Sequence, residues 1–94
     1  MRTIKRSSQF KKDFKQAKAN PRHMRDIDEL LGGVVLLLAK DTPLPDNCRD
    51  HALTSNWSNY RECHLKPDLL LIYRKPDELE LHLARLGSHS ELFG

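Results

Sequence analysis

Cysteine is scarce in this chain. The two present, Cys48 and Cys63, are too few for a disulfide scaffold and would stay reduced in a cytosolic setting. No apolar run approaches the roughly 20 residues of a spanning helix, since the longest block extends only from Val34 to Ala39. The first residues are charged from Arg2 onward and lack the apolar core of a signal peptide. Internal repeats and low-complexity tracts are also missing. These absences exclude a membrane-spanning protein, a secreted disulfide framework and a solenoid, and they make cytoplasmic the expected location.

What remains is a 94-residue chain, 38% hydrophobic and 31% charged, with its apolar residues in periodic runs. That length predicts one domain, residues 1–94, with a small core. Net charge is +3 and the pI near 9.0, compatible with an anionic partner such as nucleic acid. The positive charge is concentrated in the first quarter. Arg2, Lys5, Arg6, Lys11, Lys12, Lys15, Lys18, Arg22 and Arg25 crowd there, and Asp13 is the only acidic residue before Asp26.

Thr3 to Lys5 reads as a short first strand. Ser7 or Ser8 caps a helix that runs to about Ala19, with Phe10, Phe14 and Ala17 on one apolar stripe. Lys11, Lys15 and Lys18 line another face, either as a solvated surface or as a contact for nucleic acid. Asn20-Pro21 predicts the cap and first turn of a second helix through Lys40, whose apolar face runs from Met24 to Leu38. Gly32-Gly33 within it marks a bend or a close approach. The two helices form an αα-hairpin. After an irregular, proline-bearing connection from Asp41 to Asp50 come three strands, Trp57 to Leu65, Leu69 to Lys75 and Leu79 to Leu86. Their short connections predict an antiparallel meander. The middle one, apolar at nearly every position, should be central and covered on both faces. Leu79, Leu81 and Leu83 should point inward in the last. Ser88-x-x-Glu91 has capping-box spacing and predicts a terminal helical turn. The expected fold is therefore α+β, with the hairpin packed on one face of a small, mainly antiparallel sheet.

The last third also carries the chemistry. His51, His64 and His89 are separated by strand-like runs, and Asp68 follows His64 by four residues. Histidine gains and loses a proton near neutral pH, so converging imidazoles suit general acid–base work. Strand parity puts Tyr60, Glu62 and His64 on one face, and Arg61, Cys63 and Leu65 on the other. With the second set toward the helices, the histidines and Asp68 should meet on an open, basic surface. His82 reads as a structural or solvent residue. His89 opens a helical turn whose free N–H groups suit a phosphate. Cys48-x-x-His51 has ligand spacing for zinc, yet Cys63 and His64 are adjacent in a strand and point apart, and no second ligand pair supports a site. No metal or other cofactor is expected.

Several motifs together, Asp50-His51-Ala52-Leu53, Trp57, Tyr60-Arg61-x-x-His64-x-x-Pro67-Asp68, Leu71-x-Tyr73 and Gly87-x-His89-x-x-Leu92-Phe93-Gly94, resemble the YafQ branch of the RelE/ParE toxin superfamily. The resemblance implies a RelE-like fold and the toxin of a type II toxin–antitoxin pair. Such a toxin is a ribosome-dependent endoribonuclease that cuts mRNA in the A site and is silenced by a cognate antitoxin. It also implies activity at His51, His64, Asp68, His89 and Phe93, and cleavage at adenine-rich lysine codons. One departure is Leu69, where the branch often has a tryptophan directly after the aspartate.

In the reaction so implied, a base takes the proton of a 2′-OH, which attacks the adjacent phosphate, while an acid protonates the 5′-oxygen. Asp68 or His64 is the expected base, His89 the acid, and His51 a positioning or charge-stabilising group. Arg61 and Arg85 are candidates for phosphate contact or for structural roles. Phe93 stacks on a base or packs the terminal turn. Lys11, Lys15 and Lys18 suit ribosomal RNA phosphates. The rival readings are a gyrase-directed, ParE-like toxin of the same fold and a non-catalytic nucleic-acid-binding module.

Overall fold

The computed structural model describes residues 1–94. The chain forms strand β1 (Thr3–Arg6), helices α1 (Ser8–Ala19) and α2 (Ile27–Ala39), strands β2 (His51–Ala52), β3 (Arg61–Lys66), β4 (Leu69–Arg74) and β5 (Glu80–Gly87), and helix α3 (His89–Phe93). The five strands make one sheet in the order β1-β5-β4-β3-β2. β1 lies parallel to β5, and every other neighbouring pair is antiparallel. The α+β fold and the meander agree with the sequence reading.

β4 is central, as its apolar composition requires. Leu69, Leu71 and Tyr73 enter the main core with Phe10, Ala17, Ile27, Leu31, Val34 and Leu38 of the two helices. Leu70 and Ile72 point the other way, into a smaller cluster with Leu92 of α3. Each fully buried leucine of this kind contributes ~1.5–3 kcal/mol relative to exposure.

α1 begins where its cap dictates. The Ser7 hydroxyl accepts the Phe10 N–H at 2.9 Å and donates to the Ala84 carbonyl at 2.8 Å, so the cap also fastens the helix to β5. Deeper in, buried Asp13 accepts from Arg85 Nε at 2.8 Å and from the Leu86 N–H at 3.0 Å. Burial works against the Asp13 charge, but these bonds and one from Gln9 outweigh it and hold its pKa below the usual value.

Four expectations need correction. The second helix starts at Ile27 rather than Pro21. Residues 21–26 form turns, because the Asn20 side chain and carbonyl take the N–H groups of Arg22, His23 and Met24, and Lys66 holds the Arg22 carbonyl at 2.6 Å. The first meander strand starts at Arg61 rather than Trp57. Ser55–Trp57 is a 3-10 turn and Asn59 has φ 76°, a left-handed backbone that ends any strand running into it. Gly32 and Gly33 make no close approach, since a Cβ on either meets nothing within 4 Å. Leu79 is 73% exposed rather than inward, placed before β5 in a turn where Asp77 Oδ1 accepts its N–H.

Candidate active site

β2 is only two residues long, but it fixes one histidine. His51 pairs in register with Glu62 of β3, and its Nδ1 lies 2.8 Å from the Arg49 carbonyl. A carbonyl only accepts, so Nδ1 carries the hydrogen and Nε2 is turned toward the sheet. Glu62 is only 4% exposed, a buried carboxylate that needs partners. It finds two imidazoles, with His64 Nε2 at 3.4 Å and His51 Nε2 at 4.0 Å. The parity of β3 therefore holds: Glu62 and His64 lie on the open face, whereas Cys63 enters the helix-side core.

The third histidine arrives from α3. Ser88 Oγ takes the Glu91 N–H and the Glu91 carboxylate takes the Ser88 N–H, the capping box expected from the sequence. Those bonds use two of the turn's donors, and Glu91 adds a negative charge, so the turn is a poorer phosphate cradle than its spacing suggested. The cap presents His89 outward with its ring 4.9 Å from that of Phe93. A groove of about 700 Å³ results, lined by His51, Glu62, His89, Phe93, Leu92 and the loop from Leu53 to Trp57.

His51, His89 and Phe93 thus share one groove. His64 is joined to it through Glu62 and itself lines a neighbouring cleft with Cys48, Arg49 and Lys66. Asp68 is not joined to any histidine: it pairs with Arg22 at 3.3 Å, beside the β3–β4 turn. The groove is also not basic, since no lysine or arginine lines it. Lys11 and Lys15 are exposed on the helix layer behind the sheet. Lys18 pairs with Asp28 at 3.2 Å and lies over the Phe14 ring.

The arginines take structural partners. Arg85 is held by Asp13. Arg61 Nε and the Tyr73 hydroxyl both donate to Asp50 Oδ1, at 3.2 Å and 2.6 Å, directly before His51. Burial opposes the Arg61 charge, but the bonds to Asp50 and Tyr73 outweigh it and raise its pKa. Burial first, then Asp50, pushes the Tyr73 phenol far up, so it remains a neutral donor. Burial likewise raises the Cys63 and Cys48 thiols, disfavouring the thiolate that a metal ligand or nucleophile needs. No group of three or more His, Cys, Asp or Glu side chains is arranged to hold a metal ion.

Glu62 is the site residue that the sequence reading placed on the correct face but did not select. Its position between two strand histidines was the available signal. Leu69, by contrast, is buried in the helix-side core and presents nothing to the groove.

Residues 2–94 match the family model described as bacterial toxin of type II toxin–antitoxin system, YafQ. The chain belongs to the YafQ toxin family. It is 43% identical over 93 residues to the mRNA interferase toxin YafQ of Escherichia coli strain B / BL21-DE3, covering 99% of this chain and 97% of that relative. Among similar solved structures, a copper-bound mutant toxin from Helicobacter pylori superposes with TM-score 0.89 at 44% identity, over 99% of this chain and 100% of that one. The toxin in the Escherichia coli DinJ–YafQ complex superposes with TM-score 0.81 at 42% identity, over the whole of both chains. The histidine groove described above is thus carried by a YafQ fold.

Proposed function

We propose that this YafQ-family toxin is an mRNA endoribonuclease that cuts translated message in the ribosomal A site and is neutralised by a cognate antitoxin. The observation that carries the reading is the single groove holding His51, His89 and Phe93, with the Glu62–His64 pair at its edge. Imidazoles within one groove and at its edge suit the two ends of a phosphodiester. One side receives the proton of the attacking 2′-OH, and the other returns a proton to the departing 5′-oxygen.

His89 serves as the acid. It is exposed, sits on a capped turn, and has Phe93 against its ring to hold a base or the imidazole itself. Of the two candidate bases, His64 has the stronger support, because Glu62 orients its Nε2 while Asp68 is engaged by Arg22. His51, with its tautomer fixed by the Arg49 carbonyl, positions or stabilises the phosphate. The nucleophile belongs to the substrate, so the mechanism requires no metal. Lys11 and Lys15, exposed on the helix layer, contact ribosomal RNA in this reading while the groove engages mRNA, and binding through them weakens as salt rises.

Primer extension on message translated by purified ribosomes tests the reading. The expected products are codon-phased cuts with 5′-OH ends, unchanged in yield when the toxin alone is stripped with EDTA and freed of chelator before it meets the ribosomes. Intact message, or DNA breaks linked to a topoisomerase instead, would refute it.

A further inference from the structure

One wall of the groove takes no part in the proton transfers. It is the loop Leu53–Trp57, and its geometry is unusually well braced. Trp57, the only tryptophan in the chain, meets the Tyr60 ring edge-on at 5.2 Å and 90°. Arg74 in turn lies over Tyr60, 5.5 Å from its centroid. Beneath them Trp57 and Tyr60 pack on the cluster of Leu70, Ile72 and Leu92. The indole is therefore held from the side and from below, yet still half-exposed and lining the groove. Phe93 and His89 line the same groove from α3.

The tip between these aromatic walls is polar and unspent. Thr54, Ser55 and Asn56 are all exposed and line the groove. The loop's internal bonds use backbone only, from Trp57 N–H to the Thr54 carbonyl and from Ser58 N–H to the Ser55 carbonyl. Ser55 adopts φ 57°, a conformation that a non-glycine residue rarely takes, and this reverses the chain at the tip. The side-chain amide of Asn56 offers both donors and an acceptor, the combination that matches the edge of a nucleobase.

We propose that this loop is the base-reading wall of the groove: the Trp57 indole stacks on a nucleobase whose edge is read by the Thr54–Asn56 tip, setting the base preference at the cut. Splayed single-stranded bases are recognised in this way, by an aromatic platform together with hydrogen bonds to the exposed edge. The proposal rests on the RNA-cleaving reading above, but it can be tested without any cleavage.

Because Trp57 is the sole tryptophan, its fluorescence reports directly on the wall. The full chain is titrated with 2′-O-methyl trinucleotides of A, C and U, which cannot be cut. Saturable quenching that differs among the three is expected, and Asn56→Ala should level the difference while quenching persists. Calorimetry with Trp57→Phe should give near wild-type affinity and with Trp57→Ala a loss of about tenfold or more. On ribosomes, Asn56→Ala should redistribute the cut positions among codons. Quenching by RNA without any wild-type cleavage would leave the wall standing and remove only the nuclease reading. No quenching by any of the three RNAs, or an Asn56→Ala protein with unchanged base selectivity and cut map, would overturn the proposal. Asn56 is exposed, so that variant tests the idea even if Trp57→Ala fails to fold.

Discussion

The two faces of the sheet are built on different terms. On the helix side, 14 buried residues from α1, α2 and the strands β3, β4 and β5 interlock, and the one buried carboxylate, Asp13, is tied to Arg85 and to backbone. On the other side the buried hydrophobic cluster is only Leu70, Ile72 and Leu92. Around them lie half-buried aromatics and histidines, and the buried carboxylate there, Glu62, faces two groups able to exchange protons. One face is arranged to hold the fold together and the other to leave side chains available. Burial of an acid is common to both; what distinguishes them is whether its partner is a permanent cation or a titratable ring.

The contrast can be broken most strongly on the open side. His89→Ala should lower ribosome-dependent cleavage by roughly 10²–10⁴-fold, measured as cut yield by primer extension, with an unchanged melting temperature because His89 is exposed. Leu71→Ala, on the helix side, should do the reverse. It should cost ~2–5 kcal/mol in urea unfolding, while the protein that remains folded should cut at the wild-type rate.

The two carboxylates then sharpen the comparison. Asp13→Asn should lose ~1.5–3 kcal/mol of stability near neutral pH, the worth of hydrogen bonds to a charged group. Because the folded Asp13 pKa is lowered, its contribution is fully present above the unfolded value near 3.8 and disappears as pH falls through the folded value. The difference between wild type and variant should therefore be flat from neutral pH down to about 5 and shrink below about 4. Glu62→Gln should keep the fold but cut about 10- to 100-fold more slowly, as His64 loses the carboxylate that faces its Nε2. The smallest effect should be a gain. Gly32→Ala, with open space around the added Cβ, should stabilise α2 by ~0.4–1 kcal/mol in the same unfolding assay, and activity should not change.

Much of this was legible before any coordinates. The uninterrupted apolar run of β4 announced a strand covered twice, the Ser7-Ser8 pair and Ser88 announced their helices, and the alternation of β3 placed Cys63 and His64 on opposite faces. The motif spacing also pointed to the correct family. What stayed hidden depended on partners remote in the chain. The turns at 21–26 are held by Lys66, the Arg85 side chain is claimed by Asp13, and Asp68 is taken by Arg22. None of those pairings leaves a local trace. Glu62 escapes a reading of the sequence because a glutamate in a strand reads as solvated until the fold shows it paired with His51 of a two-residue strand and buried.

The parallel pairing of β1 with β5 also has a consequence for timing. Thr3 sits opposite Glu80, and α1 is fastened through Ala84, Arg85 and Leu86. While the polypeptide is being synthesised, its first quarter has no surface to dock on until residues 80–87 have been made. Contacts of such long sequence separation close late and slowly. A message interrupted before that point yields a product lacking both the strand on which β1 and α1 dock and the His89 that lines the groove.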